Sequence, residues 1–233
     1  MKILLNISDL NKAISKVGNL GFVPTMGMLH SGHISLIKNS KKKCKKTLVS
    51  IFVNPKQFNK TNDYKNYPRN LKRDLNILKN LKVDFVFLPK KSEIFKKRLR
   101  KIILNKNDKI LCAKYRKGHF EGVLDVMRQF FRIIEAKYTF MGIKDYQQIY
   151  LIKKYLSKKY KRKIILCPTI RDKNKVALSS RNFLLNKKDL KIASFISKNL
   201  LIFKSILKRN MKLRNLLINN KKKELKNKFN IKV

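Results

Sequence analysis

The chain has 233 residues, 43% of them apolar, enough to fill the core of one α/β domain with a small appendage and too many for a disordered basic tail. Its 59 Lys and Arg stand against 13 acidic residues, a formal net charge of +46. No apolar run approaches the ~18 residues of a membrane span, and the N-terminal stretch turns polar by Asn6 without a signal pattern, so a cytoplasmic protein with no membrane partner is expected.

Cys44, Cys112 and Cys167 are too far apart for metal-ligand spacing and read as reduced structural thiols. A charge excess of this size ordinarily marks a nucleic-acid partner. Here the lysines are spread along the whole chain among many Asn and Ile, and no RNA- or DNA-binding module pattern is present. Compositional drift at exposed positions is the favoured reading, with nucleic acid bound only non-specifically through charge.

In chain order, Ser8 caps a short first helix over 8–17, whose apolar residues recur at helical spacing. Residues 20–23 read as a buried strand. The stretch 22–38, FVPTMGMLHSGHISLIK, turns through Thr25 and Gly27 and enters a helix near Ser31 or Gly32 that runs to about Lys43. His30 and His33 lie three apart, in the pattern His-x-Gly-His, where the turn becomes the helix. The first N–H groups of a helix have no partner inside it and carry positive potential. Phosphate therefore binds there, with imidazoles beside it and Gly32 leaving room at the backbone.

Residues 47–55 (TLVSIFVNP) form a second strand, apolar on both faces as a central parallel strand is, and it stops at Pro55. An amphipathic helix over 69–80 and a third buried strand over 83–89 follow. A loop around Arg116–Gly122 holds His119, read as a packing or hydrogen-bonding residue, and a helix starts at about Gly122. The fourth strand, 139–142, leads into a helix with apolar Ile149, Ile152 and Leu156, and 163–170 is the fifth strand. A polar loop carries Ser179, Ser180 and Arg181. From Lys187 the chain reads as a very basic helix and then a Lys- and Asn-rich tail. Alternating strands and helices predict a Rossmann-like, doubly wound α/β fold with a parallel sheet, whose ligands sit at the carboxyl ends of the strands.

Six blocks in this order, VPTMGMLHSGH, SIFVNPKQF, YPRNLKRDL, GHFEGV, FMGIKDYQQ and PTIRDKNKVALSSRN, resemble the pantothenate synthetase (pantoate–β-alanine ligase) family over about residues 20–186. The resemblance implies a nucleotidyl-transfer fold in two parts: an ATP- and pantoate-binding domain over 1–170 and a smaller C-terminal lid over 171–233. It further implies a homodimer that uses ATP and Mg²⁺ to make pantoyl adenylate from pantoate, with release of pyrophosphate. β-Alanine then attacks the acyl carbon and AMP leaves.

The residue chemistry is compatible with that scheme on its own terms. Adenylation moves charge onto the departing pyrophosphate, so it needs cations and N–H donors around the phosphates more than a strong base. His30 and His33 with the helix end supply one side, and Lys144, after the fourth strand, a cation opposite. Ser179, Ser180 and Arg181 form a loop able to close over the phosphates. The amides of Gln57 and Gln148 suit a small hydroxy acid with a carboxylate, and Asn54 belongs to the same pocket.

By resemblance, ATP contacts carry over to Met26, Gly27, Met28, Leu29, His30, Ser31, Gly32 and His33, to Gly142, Ile143, Lys144 and Asp145, to Ile170, and to Leu178, Ser179, Ser180 and Arg181. His33 matches the family's proton donor. Gln57 matches a contact to pantoate and β-alanine, and Gln148 one to pantoate. Asp74 matches a carboxylate near Mg²⁺, an ion that needs only one or two protein oxygens when phosphates and water complete its shell.

The chain departs from the family pattern at Lys117, Ile143, Asn174 and Lys175. Lys175 stands where a Gly would permit positive φ, which predicts a turn of altered shape over 171–177. The resemblance also implies a longer second domain, so a shortened, highly basic lid is expected. Two other readings are another nucleotidyltransferase of the same superfamily and a decayed homologue kept as a basic nucleic-acid binder. The paired glutamines and GHFEGV argue against the first, and charge alone supports the second.

Overall fold

The computed structural model describes residues 1–97 and 99–229. It forms two compact units: Met1–Ile170 with Ser179–Phe183, and Arg171–Leu178 with the chain from Leu184 onward. Among the described residues no helix is long and apolar enough to cross a membrane.

The first unit is built on a six-stranded sheet, all of whose pairings are parallel. Its strands are β1 (Lys2–Leu4), β2 (Leu20–Thr25), β3 (Lys46–Ile51), β4 (Phe85–Phe87), β5 (Tyr138–Gly142) and β6 (Lys163–Cys167), in the spatial order β1-β4-β3-β2-β5-β6. The register Thr25↔Ile51 brings the ends of β2 and β3 level, and Gly142↔Cys167 does the same for β5 and β6. The carboxyl ends of the central strands therefore share one edge, as the doubly wound plan requires.

The helices are α1 (Ile7–Ile14), α2 (Ser31–Lys43), α3 (Leu71–Asn80), α4 (His119–Ile133) and α5 (Tyr146–Ile152) in the first unit, and α6 (Lys187–Arg209) and α7 (Arg214–Phe229) in the second. Because side chains alternate along a strand, β2 feeds both faces of the sheet. Phe22 packs with Leu10, Phe130, Phe131, Ile149 and Ile152 on one face. Val23 packs with Leu36, Ile37, Val49, Leu78 and Phe140 on the other. α2 lies so close to β2 that a Cβ on Gly21 would come within 2.2 Å of the Ser40 Oγ.

Several expectations shift. Asn6, not Ser8, caps α1, its side chain accepting from the Asp9 N–H at 2.8 Å. The edge strand β1 is an addition, paired to β4. β3 ends at Ile51, four residues before Pro55, and Asn54 then caps a 3-10 turn over Pro55–Gln57. α4 starts at His119, three residues earlier than expected, because Gly118 turns the chain with φ +79. β6 ends at Cys167 rather than 170, and much of the basic tail is the helix α7.

In the second unit Lys175 takes up the positive φ for which a glycine was expected at this turn. Its φ is +69, and Arg171 and Ala177 form an antiparallel bridge across the turn. The Asp172 carboxylate accepts from the Asn174 and Val176 N–H groups at 2.8 and 2.9 Å, and the Lys175 N–H donates to the Asp172 carbonyl at 3.0 Å. These bonds hold a non-glycine residue in the left-handed region, where the conformation costs about 1–2 kcal/mol.

Candidate active site

The site begins at the turn between β2 and α2. Gly27 and Met28 both have positive φ, +79 and +49. A Cβ on Gly27 would meet the Asp74 Oδ2 at 3.0 Å and Ile51 at 3.1 Å, so the turn needs glycine there both for conformation and for space. Asp74, in the first turn of α3, is 1% exposed. Its Oδ2 accepts from the Met28 N–H and its Oδ1 from the Leu29 N–H, each at 2.7 Å. Arg73 adds a bond from Nη1 to the Leu29 carbonyl at 2.9 Å. Asp74 thus anchors the turn through both of its carboxylate oxygens. The Met28 and Leu29 amides, expected to face ATP, are already occupied.

At the start of α2 the two histidines cap each other. The His30 Nδ1 accepts from the Gly32 N–H at 3.0 Å, and the His33 Nδ1 accepts from the His30 N–H at 3.3 Å. This is a reciprocal capping box built from imidazoles. The expected bare helix end is therefore partly self-satisfied.

The caps also decide the chemistry of the rings. With both Nδ1 atoms accepting, a neutral ring carries its proton on Nε2. The rings are neutral at physiological pH. Burial, followed by the Lys144 and Arg73 charges, pushes His30 down to about 4. Burial, followed by the charges of His30 and Lys144, pushes His33 down to about 3. The stacked pair, with centroids 4.1 Å apart, therefore offers two Nε2–H donors rather than two cations.

Both rings line a cavity of about 430 Å³ at the carboxyl edge of the sheet. The same cavity is lined by Met26, Asn54, Gln57, Lys144, Asp145, Gln148, Ser179, Ser180 and Arg181. Asn54 is buried, and its Nδ2 donates to the Gly122 carbonyl at 3.0 Å and to the Gln57 Oε1 at 3.2 Å. The Gln57 Nε2 reaches the Met26 sulfur at 2.7 Å. Ser180 is tied back to the His turn, its Oγ donating to the Met28 carbonyl at 3.1 Å, so this segment is anchored rather than loose. Arg181 spans to Asp63 with contacts of 3.0 and 3.1 Å from Nη2 and lies over the Tyr67 ring at 5.2 Å, which shares its charge with a carboxylate.

Other expected contacts lie elsewhere. Leu29 is fully buried, and Ile143 is 41% exposed and outside the cavity wall. Gly142 closes β5 without lining the cavity. Ser31 and Ile170 border a separate depression along α2 with Ile34, Ser35, Lys38, Asn39 and Lys42. Gly32 enters through its N–H bond to His30. Leu178 belongs to the second unit.

The structure adds Thr25, Phe58, Tyr67, Arg116 and His119 to the cavity wall. His119 was read as a packing or hydrogen-bonding residue, and it is both. It is buried, held between the Gln57 carbonyl at 2.6 Å and the Arg116 Nη1 at 3.0 Å, with its ring in the wall. The GHFEGV block pointed to this place and the YPRNLKRDL block contains Tyr67, whereas nothing local in the sequence singles out Asp63.

Comparison with known proteins agrees with this constellation. The pantoate-beta-alanine ligase family matches residues 2–232. The chain is 40% identical to a pantothenate synthetase of Leptospira biflexa over 228 residues, covering 89% of this chain and 81% of that protein. It is 42% identical to one from Francisella tularensis subsp. novicida over 193 residues, covering 82% and 74%. Among solved structures, the Francisella tularensis pantoate-beta-alanine ligase complexed with beta-gamma ATP and beta-alanine superposes with a TM-score of 0.80 at 42% identity, over 85% of this chain and 78% of that one. Pantothenate synthetase from Thermus thermophilus does so at 0.84 and 30% identity, over 90% and 77%. The chain belongs to the pantoate–β-alanine ligase family.

Proposed function

We propose that the chain condenses (R)-pantoate with β-alanine at the expense of ATP, forming pantothenate, AMP and pyrophosphate by way of pantoyl adenylate. One observation carries this reading. A single cavity brings the paired imidazoles and Lys144 together with the amides of Asn54, Gln57 and Gln148. The first set suits phosphates and the second a small hydroxy acid.

In the first step a pantoate carboxylate oxygen attacks the α-phosphorus, and the bond to the pyrophosphate oxygen breaks with its electron pair. Negative charge builds on the phosphates. The two Nε2–H donors and the Lys144 ammonium stabilise that charge without needing to be reorganised, because the caps already fix both rings. His33 acts here as a neutral donor, as its low proton affinity requires. Arg181, matched by Asp63, serves to orient the wall as much as to supply charge. In the second step the β-alanine amine attacks the acyl carbon, the C–O bond to AMP breaks, and AMP leaves with the electron pair while the nitrogen sheds a proton.

Magnesium would arrive on the ATP phosphates, whose charge it would neutralise. Asp74, matched by resemblance to a carboxylate near that ion, gives one lone pair of each oxygen to the backbone and would act toward the ion through the turn it anchors. Among the described residues no three His, Cys, Asp or Glu side chains gather as a metal-binding group, which accords with an ion held mainly by phosphate and water. Within the same proposal the protein is a cytoplasmic homodimer, residues 1–170 bind the substrates, and 171–233 act as the lid.

Pyrophosphate release tests the proposal. With ATP, Mg²⁺ and pantoate a burst near one equivalent is expected, turning into steady release when β-alanine is added. Binding of ATP without any burst would refute the ligase reading.

A further inference from the structure

We propose that Arg116 seats the carboxylate of the incoming amino acid and that His119 is its positioning residue. This deepens the ligase reading and rests on it. The Arg116 side chain lines the same cavity wall as Gln57 and Gln148. Among the described residues it has no carboxylate within ion-pair distance, whereas the other arginine of the wall, Arg181, is matched by Asp63. Its hydrogen-bond partner is the His119 ring, 3.0 Å from Nη1 to Nε2.

A guanidinium can only donate, so the His119 Nε2 must accept and its proton must sit on Nδ1. That proton is given to the Gln57 carbonyl at 2.6 Å. His119 therefore holds the tautomer opposite to His30 and His33. It links the backbone of a substrate-binding glutamine to a cation at fixed spacing.

The link is built on a rigid base. Gly118, with φ +79, turns the chain so that His119 opens α4. Three residues on, the backbone of Gly122 approaches so near that a Cβ there would lie 2.1 Å from the Lys56 carbonyl oxygen. The Gly122 carbonyl takes the Asn54 amide at 3.0 Å, and Lys56 pairs with Asp125 at 2.6 Å. The start of α4 and the 54–57 turn thus move as one body, with Arg116 at its margin.

The chemistry needs such a group. The amino acid presents an amine that must reach the acyl carbon and a carboxylate that must be kept away from it. A planar, permanently charged fork whose side chain lines the cavity recognises a carboxylate by charge and geometry together. The imidazole pair and Lys144 already serve the phosphates, which leaves Arg116 for the second substrate.

The test compares β-alanine with its neutral amide, β-alaninamide, in the full-length protein. The Arg116→Gln variant should keep the pyrophosphate burst with pantoate alone. Its kcat/KM for β-alanine should fall roughly 30-fold, mostly through KM, with little change for the amide, as loss of a charge-assisted pair predicts. Arg116→Lys should recover part of that loss. His119→Asn retains a donor toward the Gln57 carbonyl but gives up the acceptor for Arg116. It should therefore raise the β-alanine KM while sparing the burst, whereas His119→Ala should weaken pantoate as well.

An unchanged ratio of β-alanine to amide in Arg116→Gln would overturn the proposal. So would loss of the burst in that variant, because Arg116 would then serve ATP or pantoate. If the unmodified protein itself gives no burst, the ligase reading fails, and this inference falls with it.

Discussion

Replacing Asp74 with Asn separates two roles that the sequence leaves entangled. In the structure the carboxylate is buried and accepts two backbone N–H bonds of 2.7 Å, from Met28 and Leu29. An amide of the same shape offers one acceptor and turns an NH₂ group toward the second N–H. One charge-assisted bond is lost outright and the other becomes neutral, a loss of about 2–3 kcal/mol given that bonds to charged groups contribute about 1.5–3 kcal/mol each. For a protein of this size about 2–4 °C of melting temperature accompanies each kcal/mol, so Asp74→Asn should melt roughly 4–12 °C lower. Activity should fall too, because the released turn carries His30, and a misplacement of about 1 Å can lower a rate about 100-fold. Raising Mg²⁺ should restore neither. Thermal melting and a pyrophosphate assay over a magnesium series decide the matter. A melting temperature within about 1 °C of the parent, with activity rescued by magnesium, would show that Asp74 is a metal ligand and that the reasoning from its two bonds is wrong.

Three further outcomes are expected. His33→Ala removes one Nε2–H donor and one half of the capping box, and should slow the pyrophosphate burst by about 10²–10³; a rate near the parent's would remove His33 from the mechanism. Stability should fall with acidity: His30, His33 and His119 lie at about 4, 3 and 4 in the folded chain against an ordinary 6.5. The unfolded chain takes up these protons first as pH drops through 6.5. The contribution is thus complete above 6.5 and lost as pH falls toward 4 and 3, and a urea midpoint at pH 5 no lower than at pH 7 would contradict it. Gly122→Ala would place a Cβ 2.1 Å from the Lys56 carbonyl oxygen, backbone against backbone, and should destabilise by about 3 kcal/mol or more; a denaturant midpoint equal to the parent's would show that α4 stands farther off.

The parts of this architecture legible in the sequence are those with a local signature. Runs such as TLVSI are apolar on both faces because helices cover both sides of a parallel strand, and the run alone announces that. His30, Gly32 and His33 sit within one helical turn, so their meeting needs no tertiary information. What escaped depends on partners far along the chain. Asp74 reaches back to Met28 across 46 residues and Ser180 to the same turn across 152. The edge strand β1 is only three residues long, too short for any periodicity to show. The positive φ of Lys175 escaped for another reason. The rule that positive φ demands glycine is a preference of about 1–2 kcal/mol, and three hydrogen bonds around Asp172 are enough to override it.

Those bonds around Asp172 point to how a chain this basic keeps its fold and site. Among the described residues no Lys or Arg is buried, while Asp74 and Asp108 are. Most of the lysines occupy solvent-facing positions, where an ion pair contributes little and one side chain substitutes for another at small penalty. The acids are placed differently. Asp63 matches Arg181, Asp84 takes the Thr47 N–H and the Lys46 ammonium, and Glu93 takes the Ile7 N–H. Asp108 holds Lys154 and Tyr155, and Asp125 holds Lys56 and Arg128. Each of these joins segments distant in sequence or satisfies a backbone group that would otherwise lie unpaired. Lysine can therefore populate the exposed faces without touching the fold, whereas these carboxylates are needed as acceptors. In such a chain an acid is a better guide to structure than any of the many lysines, and Lys144 is recognised by the cavity it shares with the imidazoles and amides.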